Sequence, residues 1–342
     1  MSVVSFKCPA CGAPLIFDPE QGTYACEYCE STYTQAQLDA LEQKQVEKDE
    51  PLEDAAVYMC PSCGAQIVTS ATTAATYCYY CHNAVIMAPR LTNEWKPDRI
   101  IPFAIDKKEA INRFLTWVKG KRYVPRDFFS ADQIEKITGV YYPYWVADYH
   151  AQADFTGEGT RVNTVRTPTH DVVTTQHYAV ARGGMLRFRN MIRPALSSAD
   201  RSLDAGIHPF DLSKLEPFTM GYLSGFQAER RDVETNAIEG ELESDVRTYC
   251  EARLKGDATG YNTLHGMTNV QVRARNYEYS LLPSWVLTYR GRDGKMYYYT
   301  LNGQTGAVCG NLPVDKKKIN HDCLLWAAIA AFVLLVGGWL IW

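Results

Sequence analysis

Two sets of paired cysteines are the residues of this chain whose type and spacing favour chemistry. Each set consists of two Cys-x2-Cys pairs with 14 residues between them, and the second set lies 52 positions after the first. The eight residues are Cys8, Cys11, Cys26, Cys29, Cys60, Cys63, Cys78 and Cys81. A hairpin within each set would gather four thiolates, the ligand set of a structural zinc ion. The spacing therefore predicts two bound Zn²⁺ ions.

The residues around the cysteines predict the elements that position them. Gly12 and Gly64 follow the first pair of each set and suit a left-handed turn. The segments 15–17 and 66–69 read as strands, so each set is expected to form a small β zinc ribbon. His82 directly follows the last cysteine and is an alternative ligand. Metal-free thiols and disulfides are further alternatives, and disulfides require an oxidising compartment.

A closed site of four cysteines leaves no coordination position for a substrate, so the metal is expected to stabilise the fold without doing chemistry. Each ribbon has about 30 residues, too few to rely on a hydrophobic core alone. Structural zinc supplies roughly 10 to 16 kcal/mol of apparent binding energy in small finger peptides. The sequence thus predicts structural zinc in both ribbons.

The C-terminal segment 323–342 is a second strong signal, because it contains 20 almost wholly apolar residues and no charge. As a helix it would extend about 30 Å, the thickness of a hydrocarbon core. The basic run 316–318 precedes it and predicts a cytosolic N-terminal part by the positive-inside rule. We therefore expect a single-pass tail anchor in the cell membrane. The alternative is a buried core helix.

Length and composition indicate a folded body between these ends, since the chain is 46% hydrophobic with a net charge of −4. The segment 143–149 resembles 283–289, which favours an α+β body and allows two related halves. The predicted fold class is multi-domain, with two β zinc ribbons, this α+β body and one transmembrane helix. The predicted boundaries are 5–34 for ribbon 1, 35–56 for a polar helical spacer, 57–90 for ribbon 2, 91–315 for the body and 323–342 for the tail.

An enzyme is not predicted, because no catalytic motif occurs. The chain has no nucleophile elbow, phosphate loop or H-E-x-x-H helix. His170 and His177 are seven positions apart, so on one regular strand they would face opposite sides. His150, His208 and His265 lie in unrelated contexts. A triad assembled from distant positions is the alternative.

The charge balance of the ribbons disfavours nucleic acid as the partner. Residues 1–90 carry 11 acidic and 4 basic side chains, a net charge of −7. Phosphate binding requires clustered lysine and arginine. The one basic stretch, 182–193, reads as a solvated strand face.

The chain resembles bacterial membrane proteins described as TFIIB-type zinc-ribbon proteins, which are common in Gram-positive species. The motifs that carry the resemblance, besides the C-terminal apolar segment, are 8–13, 60–65, 100–103, 137–145 and 220–226. Such proteins have no established catalytic residues and have been labelled helicase-like or replication-related. The resemblance also implies genes that lie near those of phage-shock and SPFH membrane-stress proteins.

These observations together predict a membrane-anchored, zinc-binding adaptor or scaffold. It would recruit protein partners, of the SPFH or phage-shock type, to the cytosolic face of the lipid bilayer during membrane stress. The alternative is a nucleic-acid-binding zinc-ribbon protein that is tethered to the membrane and serves replication or transcription.

Overall fold

The computed structural model describes residues 6–19, 21–34, 36–37, 57–63, 65–78, 83–91 and 93–341. The predicted spacer lies outside these residues apart from positions 36 and 37. The strands are β1 (Leu15–Asp18), β2 (Thr23–Cys26), β3 (Thr32–Tyr33), β4 (Val57–Met59), β5 (Gln66–Val68), β6 (Thr73–Tyr77), β7 (Ala84–Ile86), β8 (Arg99–Ile100), β9 (Thr138–Arg166), β10 (Asp171–Pro194), β11 (Glu216–Pro217), β12 (Gln227–Glu229), β13 (Thr263–Arg290), β14 (Met296–Asn302) and β15 (Val308–Gly310). The α-helices are α1 (Lys107–Val118), α2 (Ala131–Ile134), α3 (Arg201–Ile207), α4 (Thr235–Asp257) and α5 (Lys316–Ile341). Short 3-10 helices span Ala88–Leu91, Asn93–Trp95, Arg126–Phe129, Leu212–Lys214 and Met220–Leu223.

The described strands form three sheets. In the three-stranded sheet of ribbon 1 the order is β1-β2-β3, and β4 pairs with β5 in a two-stranded sheet. The ten-stranded sheet follows the order β11-β8-β13-β9-β12-β6-β7, with β10 on β9, β14 on β13 and β15 on β14. Ribbon 2 therefore contributes β6 and β7 to the same sheet as the body.

The predicted multi-domain α+β architecture is wrong, because the structure is mostly β-sheet. The two similar segments do not begin two halves. They lie in β9 and β13 as antiparallel neighbours, with Pro143 opposite Leu281. Both strands continue far beyond these segments through polar residues, where the sequence offers no apolar run that marks a buried strand. The sequence-based prediction therefore underestimated the length of these strands and the extent of the sheet.

Three strands of unusual length dominate the sheet. β9 has 29 residues, β10 has 24 and β13 has 28, whereas strands usually have five or six. At about 3.3 Å per residue, β9 extends for roughly 95 Å. We call residues 150–188 and 263–275 the arm, since these parts of the three strands pair only with one another.

Two β-bulges mark the base of the arm. On β10 the register shifts between Phe188 and Met191, where Asn190 has a φ of 58°. On β13 it shifts between Ala274 and Asn276. Both shifts lie beside Tyr149 of β9, so the two outer strands bend at the same level of the central one.

Helix α4 covers one face of the three long strands. Its buried residues recur at every fourth position and form one stripe, namely Ile238, Leu242, Val246, Cys250 and Leu254. On β9 the buried Ala151, Ala153 and Phe155 alternate with exposed Gln152 and Asp154, as expected for a sheet with one covered face. The face opposite α4 is therefore exposed along the arm.

The C-terminal segment is helical but does not fulfil the predicted membrane role. The basic residues 316–318 and Asp322 occupy the start of α5. In the described part of the chain no helix is long and apolar enough to cross a membrane. The predicted span over 323–342 and the cell-membrane localisation are therefore wrong.

Candidate metal centres

The four cysteines of ribbon 1 converge on one point. Their sulfur atoms all lie within 4.8 Å of one another. Cys8 Sγ lies 3.5 Å from Cys29 Sγ, and Cys11 Sγ lies 3.5 Å from Cys26 Sγ. A tetrahedral ion with metal–sulfur bonds of about 2.3 Å requires sulfur atoms about 3.8 Å apart. The group can therefore hold a metal ion with little rearrangement.

Two turns aim these cysteines at each other. Cys8 N–H donates to the Ala13 carbonyl at 2.7 Å, and Cys26 N–H donates to the Ser31 carbonyl at 2.9 Å. Gly12 adopts a φ of 76°, the left-handed conformation that the sequence predicted there. Glu30 has a φ of 58° at the corresponding position of the second turn. The turn geometry is thus the same, although glutamate adopts it at a conformational cost.

Hydroxyl groups beside two of the sulfur atoms favour the thiolate form that binds metal. The Tyr33 hydroxyl lies 3.4 Å from Cys8 Sγ, and this hydrogen bond lowers the pKa of Cys8 to about 6. The Ser31 hydroxyl lies 3.2 Å from Cys29 Sγ and lowers the pKa of Cys29. Because metal binding requires deprotonated cysteines, both groups prepare the site. Sequence reasoning missed Tyr33, which β3 places behind the cluster.

The second cysteine group repeats this arrangement in ribbon 2. The sulfur atoms of Cys60, Cys63 and Cys78 lie within 4.8 Å of one another, with Cys63 and Cys78 3.7 Å apart. Cys60 N–H donates to the Ala65 carbonyl at 2.8 Å, as at the first turn of ribbon 1. Cys81, the predicted fourth ligand, and the alternative ligand His82 lie outside the described residues. The three described cysteines can hold a metal ion.

Ribbon 1 is fixed to the body by aromatic packing. The Phe17 ring lies 5.4 Å from the Tyr222 ring and 6.5 Å from the Phe226 ring, measured between centroids. Phe17 N–H donates to the Ser224 carbonyl at 3.1 Å. Gly225 has a φ of 87° between these groups. The metal of ribbon 1 would therefore stabilise a module that is already packed on the main core.

Ribbon 2 is held through its backbone and one buried cation. In β6, Ala75 pairs with Ala228 of β12 in antiparallel register. The buried Arg90 guanidinium donates to the Ser70 and Thr73 carbonyls at 2.5 and 2.7 Å, and it lies over the Tyr58 ring. Arg90 thereby fixes the loop between β5 and β6 within ribbon 2, while the pairing of β6 with β12 attaches the ribbon to the body.

The histidines do not form a further metal centre in the described residues. His177 and His265 lie on opposite sides of β9, in line with Thr160 and Glu158 respectively. Only the two cysteine groups bring three or more His, Cys, Asp or Glu ligand atoms within metal-binding distance in the described chain. The expectation that the protein is not an enzyme stays a prediction.

The register of the long strands brings together a cluster of arginines that could not be predicted from the sequence. Arg187 of β10 and Arg273 of β13 both lie opposite His150 of β9. Arg189 and Arg275 follow at the two bulges, and all four arginines are exposed. In the described chain no ion pair is formed by any of them. The sequence revealed only the two arginines of β10, because the strand pairing was not known.

Comparisons with known proteins give similarity without a function. No family model matches the chain. An uncharacterized protein of Bacillus subtilis (strain 168), YdjG, is 29% identical over 318 residues, which cover 93% of this chain and 92% of that protein. No solved structure matches the chain. The resemblance to TFIIB-type zinc-ribbon proteins stays a prediction.

Proposed function

We propose that this protein is a zinc-stabilised adaptor that binds protein partners through the open edge of strand β10. The single observation that carries the proposal is that edge. Among the described strands, β10 pairs only with β9. The metal centres stabilise the scaffold from which the arm extends.

Zinc is the metal that fits the cysteine groups best. All described ligand atoms are sulfur, their spacing suits a tetrahedral ion, and soft thiolates in this geometry select zinc or an iron–sulfur cluster. Each group is built on two turns within a ribbon, as in structural zinc sites. Cys8 and Cys26 are buried in the main core, so the ion would connect the first turn of ribbon 1 to the end of β2.

The outer part of the β10 edge, residues 172–181, lacks the charges and proline that normally prevent strand addition. The segment 172–181 contains no lysine, arginine, aspartate, glutamate or proline. The exposed N–H and C=O groups of such an edge are a template for another strand, and proteins usually protect edges with charges or proline. Val165 and Val173 at the end of the arm are 54% and 60% exposed. A partner that supplies a β-strand would pair with the open backbone groups of the edge and bury the two exposed valines.

The partner class is a protein with an accessible extended segment. Added strands gain main-chain hydrogen bonds along the edge, and side chains that alternate across the strand provide selectivity. The resemblance to TFIIB-type zinc-ribbon proteins makes SPFH and phage-shock proteins the first partners to test.

Site-specific photo-crosslinking tests this proposal with two matched threonines. Thr175 lies on the edge strand β10, whereas Thr156 lies on the central strand β9, and both are exposed on the same face. A crosslinker at Thr175 should capture a defined partner, and the same group at Thr156 should not. The captured protein is then purified, and its affinity is measured for each variant.

Substitution at the same two positions separates strand addition from contact with the arm's face. Thr175→Lys places a charge on the edge and should weaken partner binding at least about tenfold. Thr156→Lys places the same charge on the same face and should change binding by less than about twofold. Equal losses in the two variants, or capture mainly from Thr156, would contradict edge binding.

A polyanion is the second candidate partner, and the arginine cluster at the base of the arm favours it. Arg187 and Arg273 flank His150 on an exposed face, with Arg189 and Arg275 beside them. The acidic balance of ribbon 1 and ribbon 2 opposes nucleic acid there, since residues 1–90 carry a net charge of −7.

Salt dependence distinguishes this candidate from the adaptor. Binding to DNA or RNA that is driven by phosphate contacts falls steeply with salt. The adaptor proposal expects no tight nucleic-acid binding at about 150 mM salt, a concentration at which phosphate-driven affinity is already weakened. Strong, salt-sensitive binding that is lost on combining Arg187→Ala with Arg273→Ala would favour the second candidate.

A further inference from the structure

A cleft of about 950 Å³ lies on the face of the large sheet, away from both cysteine groups. Strands β9, β12, β13 and β14 form its floor, and helix α3 with the loop before it forms one wall. Residues 70–72 of ribbon 2 form another wall, held by Arg90 and by a 2.9 Å hydrogen bond from Arg230 Nε to the Ala71 carbonyl. The cleft is therefore large enough for a small molecule and has fixed walls.

The charged side chains of the lining are predominantly acidic. Its carboxylates are Asp200, Asp204, Glu229 and Asp232, and Lys136 is its one cationic side chain in the described chain. Three of the carboxylates have local partners. Asp200 caps helix α3, Asp232 accepts from Ser197 N–H at 2.7 Å, and Asp204 accepts from the Tyr144 hydroxyl.

Glu229 is the carboxylate that lacks sufficient partners. Its Oε1 accepts from Thr73 Oγ1 at 3.5 Å, while its Oε2 is buried and has no hydrogen-bond partner in the described chain. No cation lies within ion-pair distance of it among the described residues. Burial raises the pKa of Glu229 above its ordinary value. An ammonium group at Oε2 would satisfy the orphaned acceptor.

Ser284 provides a second unpartnered polar group in the same cleft. Its side chain is fully buried, it lines the cleft floor, and its Oγ has no hydrogen-bond partner in the described chain. Native proteins contain few such atoms, and each calls for a ligand, a water molecule or a strain explanation. Val140 lies opposite Ser284 on β9 and presents an apolar surface beside it.

The strand register gives the separation of these two polar points. Ser284 on β13 and Gln227 on β12 both lie level with Val140, on opposite sides of β9. Glu229 follows two residues after Gln227. Two strand spacings and two residues along a strand place the Cα atoms of Ser284 and Glu229 about 12 Å apart. Between them the floor is formed by Val140 and the Tyr142 side chain.

We infer that this cleft binds an elongated aliphatic amine, with an ammonium group on Glu229, an apolar chain across Val140 and Tyr142, and a second polar group at Ser284. An anionic ligand would meet four carboxylates against one lysine. A neutral polyol would leave Glu229 with only the more distant Arg90 as a countercharge. An ammonium group at the end of an aliphatic chain occurs both in a free diamine and in the lysine side chain of a peptide.

Calorimetric titration of the full-length, metal-loaded protein tests the inference. The probes are cadaverine, the neutral pentanediol of the same chain length, and a short acetylated and amidated Gly-Lys-Gly peptide. Cadaverine should bind saturably, and pentanediol should bind at least about tenfold more weakly, because it cannot form the charge-assisted hydrogen bond. Tighter binding of the peptide than of cadaverine would assign the amine to a partner protein.

Variants locate the binding in the cleft. Glu229→Gln preserves size and should weaken cadaverine binding at least about tenfold. Glu251→Gln removes an exposed carboxylate from the surface of α4 and should leave it unchanged. Ser284→Ala should weaken cadaverine more than it weakens pentylamine, which has no second polar group. If Glu229→Gln fails to fold, the comparison of cadaverine with pentanediol on the unmodified protein decides.

Three results would overturn the inference. These are no saturable amine binding, equal affinity for cadaverine and pentanediol, or equal affinity of the folded Glu229→Gln variant and the unmodified protein. None of them bears on partner binding at residues 172–181 of β10, which lie on the arm outside the cleft.

Discussion

Replacing Phe17 by alanine tests whether ribbon 1 and the body share one core. Phe17 is 5% exposed and contacts Tyr24 within ribbon 1 and two aromatic rings of the body. Removing a buried phenylalanine side chain typically lowers the free energy of unfolding by about 3 to 5 kcal/mol. We expect Phe17→Ala to fall in this range, because its three ring contacts are lost together.

Urea unfolding followed by tryptophan fluorescence is the appropriate assay, since all seven tryptophans lie outside ribbon 1. A shift of that signal in Phe17→Ala therefore reports destabilisation of the body. Tyr28→Ala is the matched control, because Tyr28 is an aromatic residue of ribbon 1 that is 82% exposed. It should change the free energy of unfolding by less than about 0.5 kcal/mol. An unchanged body transition in Phe17→Ala would refute the shared core.

The remaining predictions concern metal, its supporting residue and pH. Cys26→Ser should reduce the metal content from two zinc ions per chain to one, as measured by elemental analysis, whereas Cys250→Ser, at a buried cysteine outside both groups, should retain both. Tyr33→Phe should weaken zinc binding at ribbon 1 by about 10-fold in a chelator competition, because supporting hydrogen bonds typically contribute 10- to 100-fold, and unchanged affinity would remove Tyr33 from the site. Burial raises the pKa of Tyr77 from 10 to about 12, so this residue stabilises the fold below pH 10 and the contribution is lost as the pH rises through about 12. Tyr77→Phe should show a smaller decline in the free energy of unfolding over that range, and an identical decline would contradict a role for the buried Tyr77 hydroxyl.

The cysteine groups were the part of the structure most accessible to sequence reasoning. Metal ligands must be of few residue types at fixed spacing, so Cys8 to Cys29 could be placed around one point before any fold was known. Gly12 was read correctly for a similar reason, since a left-handed turn restricts the residue type. In both cases local chemistry determined the geometry.

The sheet could not be read in the same way, because its organisation depends on pairing between distant residues. The partners of β9 come from positions more than 100 residues later in β13, and its polar half gives no apolar pattern. Glu229 and Ser284 were missed for this reason, since they share a cleft only after β12 and β13 flank β9. For the C-terminal segment the sequence predicted too much. Its apolar composition alone was taken to indicate a membrane span, which the described helices do not support.

The paired bulges at the base of the arm have a consequence for how the arm can change in evolution. In a strand the side chains alternate with a period of two, so losing one residue from β9 would turn buried Ala151 and Phe155 outward. Losing two residues from each long strand beyond the bulges would preserve every inward position near Tyr149. We expect related proteins to differ in arm length by even numbers of residues per strand, with the packing beneath the bulges unchanged.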